Sequence, residues 1–188
     1  MDGILCLHEI FHSTHQKNEV GVILKLDFEK AYDKVNWEFL LSCLSLRGFS
    51  QTWIRKILAQ GTVCVKINEK MGPYFQSYKG VRQGDPLSPA LFNLVADCLT
   101  KMIKKAQSNH MIAGLISDIV PNGVAILQYA DDTILYLKDD FEKAKNMKLL
   151  LYMYELMSGL KINYSKSEIF MIRGDNLQAQ KYSDLFGC

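Results

Sequence analysis

The chain has 188 residues, of which 48% are hydrophobic and 22% charged, a balance typical of one globular domain and unlike that of disordered or fibrous proteins. Its formal net charge of +2 is too small for a protein that binds a polyanion through overall charge alone, so any such contact must be local. Five cysteines at unpaired spacings argue against a disulfide framework or a zinc cluster, and we expect them to be reduced.

No signal peptide or membrane-spanning run is evident in the sequence. The longest apolar stretch covers residues 149–157, is interrupted by Glu155 and is too short to cross a bilayer. We therefore expect an intracellular protein, nuclear or cytoplasmic, without a membrane partner.

The first third of the chain predicts helices around one buried strand. Apolar residues at helical spacing predict an amphipathic helix over 2–15, and an apolar run predicts a short strand over 20–28. Asn36 is a good N-cap for a helix that Gly48 would end, and a further helix is expected over 50–61.

The middle of the chain predicts a hairpin followed by a long helix. Alternation over 62–67 predicts a half-buried strand, and residues 71–73 (Met-Gly-Pro) predict the turn that leads to a partner over 74–78. Ser88 and Pro89 are a good N-cap and first-turn pair for a helix that runs to about residue 106.

The last third predicts a second hairpin, a helix, a strand and a weak terminal helix. Apolar runs over 124–127 and 134–137 flank the hairpin tip, Asp139 or Asp140 caps the helix that Gly159 ends, and a strand follows over 168–172. Strands and helices mix without a regular βαβ alternation. The fold class predicted is therefore α+β, an antiparallel sheet with helices packed on one face.

Two adjacent carboxylates, Asp131 and Asp132, occupy the tip of the second hairpin. Two such charges about 4 Å apart repel by roughly 4 kcal/mol at an effective dielectric constant of 20, and a divalent cation is the natural compensation. The alternative is a solvated acidic turn without function. Asp27, at the end of the first strand, could join them, and three acids can share two Mg²⁺ ions of the kind that promote nucleotidyl transfer. The alternative for Asp27 is a residue that merely ends the strand.

The segment over 80–89 has glycines near both ends of a loop that opens a helix. Such a loop can bring backbone N–H groups close to a nucleotide, and Arg82 and Gln83 offer donors to phosphate or base. A connector rich in glycine and proline with an exposed arginine would look the same.

A different motif, His8-Glu9-Ile10-Phe11-His12, fits the H-E-x-x-H pattern of zinc metalloproteases. The third ligand would be His15, Glu29 or Glu38, and no confirming pattern surrounds any of them. We favour an ordinary amphipathic helix.

Four segments together resemble the reverse transcriptases of non-LTR (LINE-type) retrotransposons, in order and in character. They are residues 27–33, 80–89, 129–132 and 158–167. The resemblance implies a right-hand polymerase palm with part of the fingers, and RNA-directed DNA synthesis from an RNA template, a DNA primer and dNTP.

The resemblance also assigns roles to individual residues. It implies that Asp27, Asp131 and Asp132 are catalytic residues that hold two Mg²⁺ ions, with Mn²⁺ as a possible substitute. Tyr32 matches the bulky residue that excludes a 2′-hydroxyl. The other implied nucleotide-binding residues are Phe28, Arg82, Gln83, Gly84, Lys161 and Lys166. For each lysine, a solvated charge at the strand edge is the alternative.

The resemblance divides the chain into a remnant of the fingers (1–20), the palm (21–172) and the start of the primer-grip region (173–188). In that family, basic finger segments precede this region, a primer-gripping hairpin and a thumb follow it, and an endonuclease is usual. We therefore expect negligible activity from these 188 residues alone. The alternative to a polymerase domain is a catalytically inactive retroelement remnant that keeps the palm fold.

Overall fold

The computed structural model describes residues 2–53, 56, 62–129 and 132–188. The helices in chain order are α1 (Asp2–Gln16), α2 (Ala31–Lys34), α3 (Trp37–Leu46), α4 (Ser88–Ser108), α5 (Phe141–Ser158) and α6 (Asn176–Phe186). The strands are β1 (Gly21–Leu26), β2 (Thr62–Val63), β3 (Lys66–Ile67), β4 (Lys70–Met71), β5 (Phe75–Gln76), β6 (Ile126–Tyr129), β7 (Asp132–Lys138) and β8 (Glu168–Ile172).

The central sheet has four antiparallel strands in the order β6-β7-β1-β8. Gly21 pairs with Lys138 at one end of β1, and Leu26 pairs with Thr133 at the other. This register brings the carboxyl end of β1 beside the tip of the β6–β7 hairpin.

The main core lies on one face of this sheet. Val22, Leu24 and Leu26 of β1 point into it, and their exposed fractions do not exceed 1%. Helices α3, α4, α5 and α6 cover this face, which confirms the α+β architecture predicted from the sequence.

A second, smaller core lies on the opposite face. Ile23 and Tyr136 pack there with Ile10 of α1 and with Leu115 and Ile116 of the segment before β6. Helix α1 therefore covers part of the second sheet face, where the sequence predicts no helix. The end of this face beyond Ile23 stays open, since Lys25 is exposed.

The predicted caps are confirmed at two helices. The Asn36 side chain accepts hydrogen bonds from the backbone N–H groups of Glu38 and Phe39, and that of Asp140 accepts one from Lys143. Gly159 ends α5 with a φ of +75°, the left-handed conformation expected of a helix C-cap. Ser88 is the first residue of α4 and not its N-cap, which is Leu87.

The first hairpin differs from its prediction in two ways. Its turn lies at Asn68 and Glu69, whose φ angles of 46° and 68° suit a two-residue hairpin turn. Of the predicted turn residues, Met71 ends the inner strand β4, and Gly72 and Pro73 follow it. The strand over 62–67 is not half-buried, because Val63, Val65 and Ile67 are all exposed. Alternation shows which side chains share a face, but it does not show whether anything packs on that face.

The predicted helix over 50–61 lies partly outside the described residues. Its start is present, with Ser50 Oγ accepting a hydrogen bond from Trp53 N at 3.3 Å. Of the helices that the structure describes, none is both long and apolar enough to cross a bilayer.

Candidate active site

Asp27 follows the last residue of β1, and its carboxylate side chain is exposed. Two hydrogen bonds hold its main chain: its N–H donates to Ser167 Oγ at 3.2 Å, and its carbonyl oxygen accepts from Asn163 N at 2.8 Å. The Ser167 hydroxyl in turn donates to the carbonyl oxygen of Asn163 at 2.9 Å. The segment that precedes β8 therefore fixes the position of Asp27.

Asp132 is the first residue of β7 and is also exposed. Because Leu26 pairs with Thr133, the next residues along the two antiparallel strands are Asp27 and Asp132. Leu26 and Thr133 point into the main core, so strand alternation directs Asp27 and Asp132 to the open opposite face. The structure thus brings two of the three predicted acids together.

Asp131 lies outside the described residues, as does Ala130. These two residues form the connection between Tyr129 and Asp132, which pair with each other across the hairpin. A hairpin tip between two apolar strands is therefore confirmed, while the role of Asp131 stays a prediction.

The two described acids lie outside the ion pairs of the described residues. Among the ion pairs formed by described residues, none involves Asp27 or Asp132. Glu29 differs, because its hydrogen bond and ion pair with Lys34 lower the pKa of its carboxyl group. Carboxylates left exposed and uncompensated in this way are the oxygen ligands that Mg²⁺ prefers. No group of three metal-binding side chains is found within the described part of the chain, which leaves out Asp131.

Lys161 and Lys166 lie on the same side of the domain as Asp27. Ile162 forms an isolated bridge with Phe28, and Glu29 N donates to the carbonyl oxygen of Lys161 at 2.9 Å. Both lysines are exposed, and both help to lower the pKa of Glu29 through their charge. They are therefore free to contact an anion near Asp27.

Tyr32 lies on the short helix α2 and is half-buried. Its ring stacks on that of Phe92 from α4, with the ring centroids 4.8 Å apart and an angle of 16° between the planes. Its carbonyl oxygen accepts a hydrogen bond from Val81 N at 2.7 Å. The hydrogen bond holds the main chain of Tyr32, and the stack on Phe92 orients its ring.

The loop over 80–89 packs directly against this tyrosine segment. Gly80 has a φ of +81°, and a Cβ atom there would lie 2.7 Å from the carbonyl oxygen of Asp33, so only glycine fits. The indole Nε1 of Trp37 donates to the carbonyl oxygen of Gly80 at 2.7 Å. Arg82 Nη2 donates to the carbonyl oxygen of Thr62 at 3.0 Å, and Gln83 and Gly84 remain exposed.

Three positioning residues of the site were not predicted. Ser167 holds the main chain of Asp27, Phe92 supports Tyr32 and Trp37 anchors Gly80. Each acts across a tertiary contact, so no local pattern identifies its partner.

The H-E-x-x-H motif lies on helix α1, as the sequence predicts. His8, His12 and His15 line an open groove of about 480 Å³ between α1 and the end of β8. Arg173 also lines it and donates from Nη2 to the carbonyl oxygen of His15 at 3.1 Å. Glu9 is exposed, and these histidines do not join a third acidic, thiol or imidazole group as metal ligands within the described residues.

Comparison with known proteins decides the family. The sequence profile described as reverse transcriptase (RNA-dependent DNA polymerase) matches residues 2–184. The chain belongs to the reverse transcriptase family. This confirms the resemblance inferred from the four ordered segments.

The relatives of this reverse transcriptase chain come from non-LTR retrotransposons. It is 29% identical over 171 residues to the uncharacterized 149 kDa protein of transposon TX1 from Xenopus laevis, a match that covers 88% of the chain and 12% of that protein. It is 28% identical over 171 residues to the Pol polyprotein of the type-1 element R2 from Popillia japonica, covering 87% of the chain and 22% of that protein. The chain thus spans between about a tenth and a quarter of the length of these relatives.

Solved structures of telomerase share the fold of this chain. Telomerase from Candida tropicalis, in complex with a fragment of telomeric RNA, superimposes with a TM-score of 0.66 at 17% identity, over 92% of this chain and 29% of that one. The apo enzyme truncated from its C-terminal domain gives 0.64 over 93% and 35% of the two chains, also at 17% identity. This agreement supports the polymerase palm.

Proposed function

We propose that this domain catalyses RNA-directed DNA synthesis by two-metal nucleotidyl transfer. One observation carries the proposal: Asp27 and Asp132 lie opposite each other at the ends of the adjacent strands β1 and β7. Both carboxylates are exposed, and neither takes part in an ion pair of the described residues. Asp131, the neighbour of Asp132, completes the set of acids that the family chemistry requires.

The three aspartates would hold two Mg²⁺ ions, and Mn²⁺ could replace them. Divalent ions in such a site stabilise the negative charge that develops on the attacking and leaving oxygens of a phosphoryl displacement. The reaction joins the primer 3′-hydroxyl to the α-phosphate of a dNTP and releases pyrophosphate. The chain's part is to fix the carboxylates: Asp27 through Ser167 and Asn163, and Asp132 through its pairing with Tyr129.

Tyr32 would select deoxynucleotides. Phe92 stacks on one face of its ring, so the tyrosine cannot move aside to admit a 2′-hydroxyl without breaking that contact. Phe28 follows Asp27, is half-buried and forms an isolated bridge with Ile162. It would border the same nucleotide site.

The exposed loop residues would contact the nucleotide and the template. Gln83 and Gly84 are exposed next to the anchored Gly80, and Arg82 lies at the base of the first hairpin. Lys161 and Lys166 would approach the triphosphate. Among the ion pairs of described residues neither lysine takes part, whereas Lys34 is paired with Glu29.

The first hairpin offers a local surface for a single-stranded nucleic acid. Tyr74, Phe75 and Tyr78 are exposed there, and aromatic faces of this kind stack on bases. Residues 62–82 contain four basic side chains and one acidic one, a net charge of +3 against +2 for the whole chain. The positive charge that a contact with a polyanion needs is therefore concentrated in residues 62–82, beside the loop over 80–89.

We propose the domain division inferred from the sequence: fingers over 1–20, palm over 21–172 and the start of the primer grip over 173–188. We also propose an intracellular location, nuclear or cytoplasmic, because the cysteines with described side chains are free thiols.

Primer extension on poly(rA) with an oligo(dT) primer, dTTP and Mg²⁺ tests the proposed activity. The matched proteins are the parent, an Asp131→Ala, Asp132→Ala double variant, and Asp184→Asn, which changes an exposed acid on α6. The proposal predicts extension by the parent and by the α6 variant, at the very low rate expected of these 188 residues alone, and none by the double variant. Extension that the double substitution leaves unchanged would contradict it. A parent that binds metal but extends nothing would favour the inactive retroelement remnant.

A further inference from the structure

Two cysteines from different helices meet behind the sheet. Cys43 of α3 and Cys98 of α4 have their Sγ atoms 3.0 Å apart. Cys43 is buried, with 5% of its surface exposed, and Cys98 is half-buried. One thiol is therefore accessible from solvent and its partner is enclosed beneath it.

Charged groups surround this pair from both helices. Arg47, one turn after Cys43, forms an ion pair with Asp97 and donates from Nη1 to the carbonyl oxygen of Leu94 at 3.3 Å. Lys101 also pairs with Asp97, at 3.2 Å. Two cations thus share one carboxylate next to the thiols, so the local charge is positive.

The two thiols have opposite tendencies to ionise. The hydrogen bond from Cys43 lowers the pKa of Cys98 to about 7. The charges of Arg47 and Lys101 also lower this pKa, whereas burial and the charge of Asp97 raise it. The same hydrogen bond and burial raise the pKa of Cys43. Tyr154 of α5, whose hydroxyl donates to Val95 O at 3.2 Å, stays neutral because burial raises its pKa. Cys98 is therefore the nucleophile of the pair and Cys43 the resolving thiol.

We propose that Cys43 and Cys98 form a redox modification site, which a hydroperoxide oxidises to a disulfide that joins α3 to α4. The Cys98 thiolate attacks one peroxide oxygen, the O–O bond breaks, and with H₂O₂ the products are a sulfenic acid and one water after proton uptake. The Cys43 thiol then attacks the sulfenic sulfur, the S–O bond breaks, and a second water leaves with the thiol proton. Two thiols lose two electrons, and one peroxide accepts them.

The disulfide would join α3 and α4, the two helices that hold the loop over 80–89. Helix α3 begins at Trp37, whose indole holds Gly80, and α4 begins where that loop ends. The cross-link closes a loop of 55 peptide bonds between Cys43 and Cys98, and it should raise the melting temperature by roughly 10 °C.

Peptide mapping after H₂O₂ treatment tests the proposal directly. We expect a cross-linked peptide pair that contains Cys43 and Cys98, a mass lower by two hydrogen atoms, and reversal by dithiothreitol. Cys64 and Cys188 are described free thiols and serve as internal controls. A Cys64→Ser variant should still form the bond with its rise in melting temperature, and Cys43→Ser should not. Preferential pairing of Cys98 with another cysteine, or full retention of both thiols, would overturn the proposal.

The order of the two thiols is tested by trapping. In Cys43→Ser the sulfenic acid should accumulate on residue 98 and react with dimedone, whereas Cys98→Ser should give little label at residue 43. In the parent, the oxidation rate should rise as the pH increases through about 7, where Cys98 ionises. Equal labelling of both variants would contradict the assignment of Cys98 as the nucleophile.

Discussion

The proposed selection of deoxynucleotides by Tyr32 depends on one contact, its stack on Phe92. The tyrosine ring lies flat on Phe92, so its position depends on a residue sixty positions later in the chain. Substitution of Tyr32 should alter selectivity more than folding, since Tyr32 is only half-buried. Phe92 is buried in the main core, so its replacement by a small residue should also destabilise the fold.

We predict that Tyr32→Val raises the ratio of ribonucleotide to deoxynucleotide incorporation by roughly tenfold or more, because the bulk that excludes the 2′-hydroxyl is lost. Competing rNTP and dNTP in primer extension measures this ratio. Tyr152→Val, at an exposed tyrosine on α5, is the matched control and should leave the ratio unchanged. A ratio unaffected by Tyr32→Val would remove the selective role.

Gly80 supports a stability prediction with a matched control. Alanine at this position meets the carbonyl oxygen of Asp33 at 2.7 Å in addition to the strain of a φ of +81°. We expect a loss of about 2–3 kcal/mol in the free energy of unfolding, measured by urea denaturation. Gly48→Ala, where φ is +83° and no atom lies within 4 Å, carries the strain alone and should lose about 1 kcal/mol. Equal losses would show that close packing at Gly80 is unimportant.

At the scale of elements, α3 links the sequence segments of the site. Its N-cap Asn36 donates its backbone N–H to the carbonyl oxygen of Ser158 at 2.7 Å, which ties the start of α3 to the end of α5. Trp37, the next residue, holds the loop at Gly80. One short helix therefore fixes the loop relative to the sheet.

Replacing Asn36 by alanine removes the side-chain acceptor for Glu38 N and Phe39 N. We predict a loss of about 1 kcal/mol in stability, or roughly 2–4 °C in melting temperature. Asn36→Asp keeps the acceptor and should lose less. Differential scanning calorimetry compares the two, and a larger loss in the aspartate variant would contradict the capping role.

Local patterns predicted the elements well and their contacts poorly. Asn36, Asp140 and Gly159 were identified as caps because capping depends on residues within one turn. The turn at Asn68 and Glu69 was missed because Gly72 and Pro73 gave a stronger local signal. The open faces of the first hairpin and the stack of Tyr32 on Phe92 depend on tertiary packing, which periodicity does not encode.

At the scale of the whole molecule, positive charge is concentrated in residues 62–82. The net charge of the whole chain is +2, while residues 62–82, which cover the first hairpin and the start of the loop after it, carry +3. Binding to nucleic acid should therefore depend on a few lysines and weaken steeply with salt.

We predict that Lys66→Gln combined with Lys70→Gln weakens binding to single-stranded poly(rA) and lowers the slope of log affinity against log salt by about 1 to 2. Fluorescence anisotropy between low and physiological salt measures both. Lys143→Gln combined with Lys145→Gln, on α5, is the control and should leave the slope unchanged. Identical slopes in both double variants would show that the first hairpin is not the contact surface.

The central claim is that Asp27, Asp131 and Asp132 hold catalytic metal, and Mn²⁺ binding followed by electron paramagnetic resonance tests it most directly. The account predicts that Asp27→Asn and Asp132→Asn each weaken Mn²⁺ binding by roughly tenfold or more, since even outer-shell partners of a metal are worth that much. Asp184→Asn on α6 should bind as the parent does. Equal Mn²⁺ affinity in the parent and in Asp27→Asn would contradict the claim.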